Sequence, residues 1–250
     1  MNNKNYFDFE NQFRGDRKKI MDQLSMYDRL VKKIIASNDY NKFIDIGCGR
    51  GEWLEKWKTK DVECIGIEKN EGMLEFCQNL ELNVFNADAI DMLKKLPDKS
   101  ASIITLFHVI EHIKYKELLT LFNEIHRVLT ENGVLIMETP SIDNLSVSTK
   151  LFYLDPTHIN HINPDGLSFS LQQNNFNQVK YFYINGGPLQ NANPFKLTRV
   201  LNGVAQDVVF IVTKSEKMSN ELFHKDLDWS LCLPTAPTTL EAAVAFDLRY

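Results

Sequence analysis

Apolar residues recur along this chain with two different periods. Residues 42–47 and 133–140 are short, almost continuous apolar runs, which is typical of buried strands. Residues 16–37 and 115–130 instead repeat their apolar positions every three or four residues, which predicts amphipathic helices. Strand and helix patterns alternate five times with short connections, and the predicted strands are 42–47, 62–68, 82–88, 100–109 and 133–140.

This alternation predicts a parallel sheet with helices on both faces. The pattern changes after the fifth strand. A long polar loop at 141–162 precedes a predicted helix at 163–175, and two further strands follow at 178–185 and 207–214 with no helix predicted between them. We therefore predict an α/β, Rossmann-like, seven-stranded sheet that is mostly parallel, with an antiparallel last strand.

Composition excludes several classes of protein. The chain has 250 residues and a net charge of −5, whereas binding of nucleic acid through its phosphates favours a basic surface. The polar N-terminus lacks the apolar core of a secretory signal, and no apolar run reaches the roughly 18 residues of a membrane span. No Cys-x-x-Cys pair occurs, so we expect reduced thiols and a cytoplasmic location for a chain whose cysteines are Cys48, Cys64, Cys77 and Cys232.

A glycine-rich turn, DIGCGRGEW, joins the first predicted strand to the first helix of the alternating pattern. In an open α/β sheet this is where a nucleotide-like ligand binds. Gly47, Gly49 and Gly51 allow a tight turn and a close approach of the backbone to that ligand. Glu68 ends the second predicted strand, where a carboxylate can accept hydrogen bonds from ribose hydroxyls.

Two ligands suit such a turn, a dinucleotide and S-adenosylmethionine. The dinucleotide fingerprint is Gly-x-Gly-x-x-Gly, whereas this turn is Gly-x-Gly-x-Gly, and Glu52 stands where the third glycine is required. A carboxylate there opposes a pyrophosphate at the helix N-terminus. S-adenosylmethionine carries an ammonium instead, and Asp45 is placed to bind it. The spacing favours S-adenosylmethionine, although a glycine turn without a ligand can produce the same pattern.

Asp88 and Ala89 follow the third predicted strand. A carboxylate and an amide at this position suit recognition of an adenine amino group, and Asp88 also suits the N-cap of the next helix. Together with residues 45–51, Glu68 and the strand order, they resemble the class I S-adenosylmethionine-dependent methyltransferases over about residues 40–214. The resemblance implies S-adenosylmethionine as the cofactor.

Residues 108–112, HVIEH, match His-x-x-Glu-His, the inverted zinc-peptidase motif. That motif needs both histidines on one face of a helix, but His108 directly follows a predicted strand. We therefore predict no metal ligands. In a methyltransferase this strand end faces the methyl donor, so Phe107 and His108 are expected to line the site, whereas Glu111 and His112 either orient the turn or contact the acceptor.

Five separated segments narrow the resemblance. Together they resemble the methyltransferase module of bacterial enzymes that terminate O-antigen and other polysaccharide chains. In that family the methyl group goes to a sugar hydroxyl or a terminal phosphate at the end of a lipid-linked glycan. The segments are FRGDRKKIMDQLSMY at 13–27, GCGRGEWLE at 47–55, FHVIEHI at 107–113, ETPSIDNLSV at 138–147 and FYLDPTHINH at 152–161.

The pattern and this resemblance predict three parts of the chain. Residues 1–39 would form a helical cap over the cofactor site, with Arg14 pairing with the methionine carboxylate. Residues 40–215 would form the methyltransferase core, and residues 216–250 a tail or linker. The resemblance also implies a glycan or sugar-phosphate acceptor and a glycosyltransferase or kinase partner, with peripheral association at the inner face of the membrane.

The stretch YLDPTHINH, in the loop after the fifth strand, supplies the predicted catalytic groups. A sugar hydroxyl must lose its proton during methyl transfer, so a nearby base is needed. We predict His158 for acceptor contact or base, with His108 and Asp155 as further catalytic candidates. Asp155 also suits a turn opener before proline, and His161 is expected to brace the next helix. A different small-molecule acceptor, a non-catalytic docking module and a zinc hydrolase remain as alternatives.

Overall fold

The structure, a computed structural model, describes residues 3–59, 61–191, 196–224 and 233–248. Three of the predicted thiols are free cysteines, and Cys232 lies outside the described residues. A seven-stranded sheet forms the centre, in the order β3-β2-β1-β4-β5-β7-β6. The strands are β1 (Lys42–Ile46), β2 (Glu63–Glu68), β3 (Val84–Asn86), β4 (Ala101–Phe107), β5 (Leu129–Pro140), β6 (Gln178–Gly186) and β7 (Ala205–Thr213).

The direction of the strands confirms the predicted fold class. Strands β1 to β5 run parallel to one another, and the last strand, β7, is antiparallel to its neighbours β5 and β6. Strand order reverses at β1, because β4 pairs with β1 after the chain has passed through β2 and β3. In open α/β sheets, ligands bind at the carboxyl ends of the strands beside such a reversal.

Helices cover both faces of the sheet, as predicted. One face packs against α7 and α8 through residues such as Leu121, Ile125 and Leu171, and the other packs against α3 and α10 through Ile34 and Leu222. The helices are α1 (Asn3–Phe13), α2 (Arg17–Leu24), α3 (Asp28–Ala36), α4 (Glu52–Trp57), α5 (Glu71–Asn79), α6 (Ala89–Leu93), α7 (Tyr115–Val128), α8 (Pro164–Gln173), α9 (Leu197–Asn202), α10 (Glu216–Leu222) and α11 (Thr239–Asp247).

The single helix predicted over 16–37 is interrupted. A 3₁₀ turn at Ser25–Tyr27 separates α2 from α3. Tyr27 is fully buried there and lies edge-on against Trp53. Periodicity does not locate such a break, because apolar residues recur at helical spacing on both sides of it.

The chain after residue 215, which was predicted as a tail or linker, contains two packed helices. The helix α10 buries Met218 and Leu222 against the sheet, and α11 packs against α9. The seven residues of α10 include only two apolar side chains, whereas six of the nine residues of α11 are apolar, so neither helix shows a clear amphipathic period and their packing follows from the tertiary fold. The boundaries of the three predicted parts remain a prediction.

Candidate active site

A cavity of about 700 Å³ opens at the carboxyl ends of β1, β2 and β4. This volume lies within the roughly 300–1,000 Å³ usual for small-molecule sites. The turns after the strands form one wall, a loop at 151–158 forms the opposite wall, and α1 lies along a third side. The residues predicted for the site that line this cavity are Arg14, Gly47, Gly49, Glu68, Asp88, Ala89, His108, Asp155 and His158.

The glycine turn, residues 45–51, brings backbone directly to the cavity wall. Gly47 and Gly49 have φ angles of 66° and 53°, which favour glycine because other residues carry a Cβ. A Cβ on Gly47 would lie 2.6 Å from Cγ2 of Val109, and one on Gly49 would lie 3.1 Å from the Arg14 guanidinium. These glycines therefore keep the backbone close to neighbouring groups and to any ligand between them.

Gly51 was predicted to bind the cofactor with the other two glycines, and that role stays a prediction. Gly51 is not among the residues that line the cavity. Its φ is 74°, and a Cβ there would collide with Leu82 and lie 3.1 Å from the Cys77 sulfur. Gly51 therefore allows α4 to begin close against the connection before β3, so it contributes to packing.

Glu68 is held by the turns on both sides of it. One carboxylate oxygen accepts the Gly49 amide at 2.9 Å, and the other accepts the amides of Lys69 and Asn70, both at 2.8 Å. These bonds join β2 to the glycine turn. They also place a carboxylate at the cavity wall, as a ribose-binding group requires.

Asp88 caps a helix as predicted, and its role in adenine recognition stays a prediction. Its Oδ1 accepts the amides of Ile90 and Asp91, which caps α6. Its Oδ2 forms an ion pair with Lys69 at 2.5 Å. Asp88 and Ala89 line the cavity beside Glu68, where adenine recognition was predicted.

Asp45 lies behind the glycine turn and is 3% exposed. Its Oδ1 accepts the Thr105 hydroxyl at 2.7 Å. Burial raises the pKa of Asp45 to about 7, although the Thr105 hydrogen bond and the Arg14 charge oppose the shift. Asp45 is therefore poised to change its charge near neutral pH.

A smaller recess of about 160 Å³ adjoins the cavity and shares Arg14, Gly47 and His108 with it. Asp45 and Phe107 line this recess rather than the main cavity. An ammonium group in this recess would contact the Asp45 carboxylate, as the predicted role of Asp45 in ammonium binding requires.

Phe107 belongs mainly to an aromatic group in the core. Its ring lies 5.6 Å from that of Tyr27 and 5.2 Å from that of Trp53. Because Phe107 also lines the recess that contains Asp45, its predicted contact with the cofactor stays a prediction.

Arg14 lies between the helix α1 and the glycine turn. Its guanidinium forms an ion pair with Glu10 at 3.1 Å. Burial alone would lower the pKa of Arg14, but the charges of Glu10, Glu52 and Asp45 raise it. The guanidinium thus stays charged beside Gly49, where it was predicted to bind a carboxylate.

Four residues, His108, Glu111, His112 and His158, meet where the turn after β4 contacts the loop at 151–158; we call them the imidazole cluster. A 3₁₀ turn at Ile110–His112 follows β4. The Glu111 carbonyl accepts the amides of Ile159 and Asn160, both at 3.0 Å, and this docks the distant loop carrying His158 onto the turn.

His108 adopts a left-handed backbone with φ of 56°, which is uncommon for a residue with a Cβ. Its Nδ1 lies 3.5 Å from Glu111 and its Nε2 lies 3.9 Å from Asp207. Burial alone would lower the pKa of His108, but Glu111, Asp207 and Glu138 raise it to about 9. His108 is therefore protonated near neutral pH, which suits contact with an anion better than proton acceptance.

His158 lies at the cavity with its side chain 12% exposed. Its Nδ1 lies 2.6 Å from the Phe152 carbonyl, and its ring centroid lies 4.6 Å from that of His112. Its Nε2 lies 3.9 Å from Glu111. The structure thus brings together two histidines that lie 46 positions apart in the chain.

The contacts of Asp155 hold the loop that carries it. Its Oδ1 accepts the Thr157 amide at 2.8 Å and the Thr157 hydroxyl at 2.6 Å, and its Oδ2 accepts the Tyr6 hydroxyl at 3.1 Å. Burial would raise the pKa of Asp155, but the Thr157 bonds and the nearby imidazoles lower it. Asp155 therefore ties the loop to α1, and a low pKa makes it a weak base.

Sequence reasoning missed three groups at this site, Tyr6, Glu138 and Asp207. Tyr6 bonds to Asp155 and so joins α1 to the loop that carries Asp155, His158 and His161, which we call the acceptor loop. Glu138 and Asp207 lie at the recess beside His108. Glu138 was contained in a quoted segment, but its proximity to Asp207 depends on the antiparallel pairing of β5 with β7.

Comparison with known protein families identifies the family to which this chain belongs. A family model described as a methyltransferase domain matches residues 15–181, which is well over half of the chain. The chain belongs to this methyltransferase-domain family. The predicted methyltransferase class and its cofactor, S-adenosylmethionine, are thereby confirmed at the level of the family.

Solved structures of methyltransferases share the fold. An S-adenosylmethionine-dependent methyltransferase from Archaeoglobus fulgidus is 30% identical, with a TM-score of 0.71, over 83% of this chain and 98% of that one. A methyltransferase from Thermotoga maritima, described as a possible histamine N-methyltransferase, is 17% identical with a TM-score of 0.55, over 84% of this chain and 99% of that one. At that identity the second comparison shows the fold alone.

Curated relatives match a shorter region. Carboxy-S-adenosyl-L-methionine synthase from Actinobacillus pleuropneumoniae serotype 7 is 26% identical over 123 residues, 45% of this chain and 51% of that protein. The enzyme of the same name from Glaesserella parasuis is 26% identical over 108 residues, 40% of this chain and 44% of that protein. The chain spans about half the length of the curated relatives it matches.

The helices also bear on membrane insertion. Among the residues that the structure describes, every helix is too short or too polar to cross a bilayer.

Proposed function

We propose that this methyltransferase transfers a methyl group from S-adenosylmethionine to an oxygen of a carbohydrate, a sugar hydroxyl or a terminal phosphate, in surface-polysaccharide biosynthesis. The observation that carries the proposal is that one cavity joins the glycine turn to the imidazole cluster. The first suits the donor, and the second suits an acceptor oxygen that must be bound and deprotonated.

The donor side offers groups of the right chemistry. Glu68 would accept from the ribose, and Asp88 with Ala89 would meet the adenine. Arg14 would pair with the methionine carboxylate, and Asp45 with the ammonium in the adjoining recess. When bound, S-adenosylmethionine supplies a methyl group on an already activated sulfonium. The main task of the protein is then to align the acceptor oxygen with that methyl group.

The acceptor side has groups for both kinds of oxygen. A sugar hydroxyl needs a proton acceptor, and His158 is our first candidate for that role or for contact with the acceptor. A phosphate needs cationic neighbours instead. Protonated His108 supplies such a charge at the cavity wall, and Arg14 and Lys150 are further candidates.

The carbohydrate assignment is supported by the resemblance of five separated segments to polysaccharide chain-terminating enzymes. On the same basis we propose a cytoplasmic protein at the inner face of the membrane. A glycosyltransferase or kinase would be its partner. Exposed apolar side chains beside the cavity, at Leu151, Tyr153 and Leu154, suit an acceptor with an apolar lipid carrier.

The test compares surface glycans from cells with and without the gene by mass spectrometry of the glycan termini. We expect a terminal methyl group that disappears with the gene and returns with the wild-type gene but not with His158→Ala. Purified protein with isotope-labelled S-adenosylmethionine should methylate the same glycan. Labelling of a different small molecule alone would overturn the carbohydrate assignment. Tight cofactor binding without transfer to any acceptor would favour a non-catalytic docking module.

A further inference from the structure

Glu111 carries a buried carboxylate oxygen, Oε1, that faces two imidazoles but accepts no hydrogen bond of normal length. The residue is fully buried. Its Oε2 accepts the Thr139 hydroxyl at 3.0 Å, but Oε1 has no hydrogen bond from any described residue. Leaving a buried carboxylate oxygen without a partner costs free energy. The nitrogen atoms that face Oε1 are those of His108 at 3.5 Å and His158 at 3.9 Å.

The hydrogen bond of His158 determines which of its nitrogens carries the proton. Its Nδ1 faces the Phe152 carbonyl at 2.6 Å. A carbonyl can only accept, so Nδ1 donates. In the neutral ring Nε2 then holds a lone pair, and this nitrogen is the one that faces Glu111.

His112 is oriented in the same way through two other residues. The Thr157 hydroxyl donates its single proton to Asp155 at 2.6 Å. Its oxygen lies 2.9 Å from Nδ1 of His112 and must therefore accept from that nitrogen. His112 also presents Nε2 as its unprotonated nitrogen. Hydrogen bonds of this kind on the outer ring nitrogen are how proteins orient histidines that bind metals.

We propose that Glu111, His112 and His158 together bind a divalent transition-metal cation at the acceptor side of the cavity. One ligand atom from each residue lies within 4.8 Å of the other two. Ligands around a tetrahedral cation with bonds of about 2.1 Å are about 3.4 Å apart, so closing on the ion needs movements of about 1 Å. Two imidazoles and one carboxylate leave coordination positions open, as catalytic sites require.

The open positions define the class of acceptor, an inference that rests on the proposed function. His112 and His158 line the cavity, so the cation faces the space for the acceptor. It would bind two neighbouring acceptor oxygens, as in a vicinal diol or a phosphate. It would also lower the pKa of a bound hydroxyl, which would release its proton to water in the open cavity. His158 then acts by holding the cation rather than by taking the proton itself.

A second group of possible ligands, His108, Glu138 and Asp207, lacks such an oxygen. The Asn185 amide donates to Glu138 at 3.2 Å and to Asp207 at 2.9 Å. These carboxylates already have hydrogen-bond partners, whereas Oε1 of Glu111 has none. The first group is therefore the better candidate, and Asp207 provides a matched variant that separates the two.

The test titrates Co²⁺ into untagged, chelator-stripped full-length protein, with and without S-adenosylmethionine. Calorimetry and the visible absorption bands of bound Co²⁺ are followed. We expect one equivalent to bind, and Glu111→Gln and His158→Gln to weaken binding more than about 100-fold. Thr157→Val, which removes the oxygen that orients His112, should weaken it about 10- to 100-fold. His161→Gln in the same loop and Asp207→Asn should leave Co²⁺ binding unchanged.

Several results would overturn the metal site. These are no Co²⁺ binding by the wild-type protein, unchanged binding in folded Glu111→Gln and His158→Gln, or loss of binding in Asp207→Asn alone. Circular dichroism and cofactor binding establish whether each variant folds. If Glu111→Gln does not fold, Thr157→Val tests the site instead. Full methyl transfer by the chelated protein would refute the metal while sustaining the proposed function. Specific Co²⁺ binding without glycan methylation would sustain the metal site and refute the proposed function.

Discussion

The two walls of the cavity differ in how they are built. The glycine turn and the carboxylates beside it come from short segments at strand ends, and Glu68 and Gly49 hold each other by a direct hydrogen bond. The imidazole cluster joins the turn after β4 to a loop 46 residues away, through amides that bond to the Glu111 carbonyl. The donor wall therefore depends on local backbone conformation, and the acceptor wall depends on long-range docking.

The largest expected effect is that variants of the two walls lose different properties, turnover at one wall and cofactor binding at the other. We expect His158→Ala to reduce turnover by about 100- to 10,000-fold and to leave S-adenosylmethionine binding within a few fold. Asp45→Ala and Glu68→Ala should instead weaken cofactor binding strongly. Calorimetry and a methyl-transfer assay measure both quantities, with His161→Ala as the control in the acceptor loop.

Loss of cofactor binding together with turnover in His158→Ala would show that His158 is structural. Unchanged cofactor binding in Asp45→Ala and Glu68→Ala would remove the donor assignment.

The second prediction concerns backbone at the donor wall. Gly47→Ala places a Cβ on a left-handed residue, 2.6 Å from Val109. Strain of about 1–3 kcal/mol corresponds to a loss of cofactor affinity of about 10- to 100-fold if the turn must shift. Gly15→Ala is the matched control, because its φ is 96° but a Cβ there meets no atom within 4 Å. Equal losses in the two variants would show that the contact with Val109 is unimportant.

The third prediction is a pH dependence of the donor wall. The pKa of Asp45 is about 7, so lowering the pH below 7 neutralises the carboxylate that would bind the ammonium. S-adenosylmethionine affinity should fall by up to about tenfold per pH unit between pH 7 and 5. Asp45→Asn should bind weakly at pH 7 and lose this dependence. The same slope in wild type and Asp45→Asn would assign the titration to another group.

The smallest effect on binding is expected at Gly51. A Cβ there collides with Leu82 and occupies a left-handed conformation, so Gly51→Ala should lower the free energy of unfolding by about 1–3 kcal/mol. Cofactor affinity should stay within a few fold, because Gly51 does not line the cavity. Denaturant unfolding and calorimetry measure the two quantities. A loss of affinity as large as that of Gly47→Ala would return Gly51 to the binding site.

Local sequence patterns were sufficient to predict much of the fold. Apolar runs and helical periodicity predicted the strands and the parallel part of the sheet, because β1 and β4 are buried almost throughout and an amphipathic helix buries one face. The antiparallel last strand was predicted because no helix was expected between the last two strands, although the short helix α9 lies there. The break at Ser25–Tyr27 and the packing of α10 escaped prediction. Both depend on which partner an apolar side chain meets, and periodicity does not contain that information.

Residue types and their positions at strand ends were enough to predict that the glycine turn, Glu68 and Asp88 lie together on one wall of a site. Their chemistry follows from residue type at the end of a strand, and parallel strands end at a common edge. Three-dimensional packing, which local patterns do not contain, places Gly51 against Leu82, bonds Asp155 to Tyr6, and brings Glu111, His112 and His158 together. The HVIEH motif does not form a helical pair of histidines. A hydrogen-bonded loop brings His158 to Glu111, and spacing along the chain does not encode that contact.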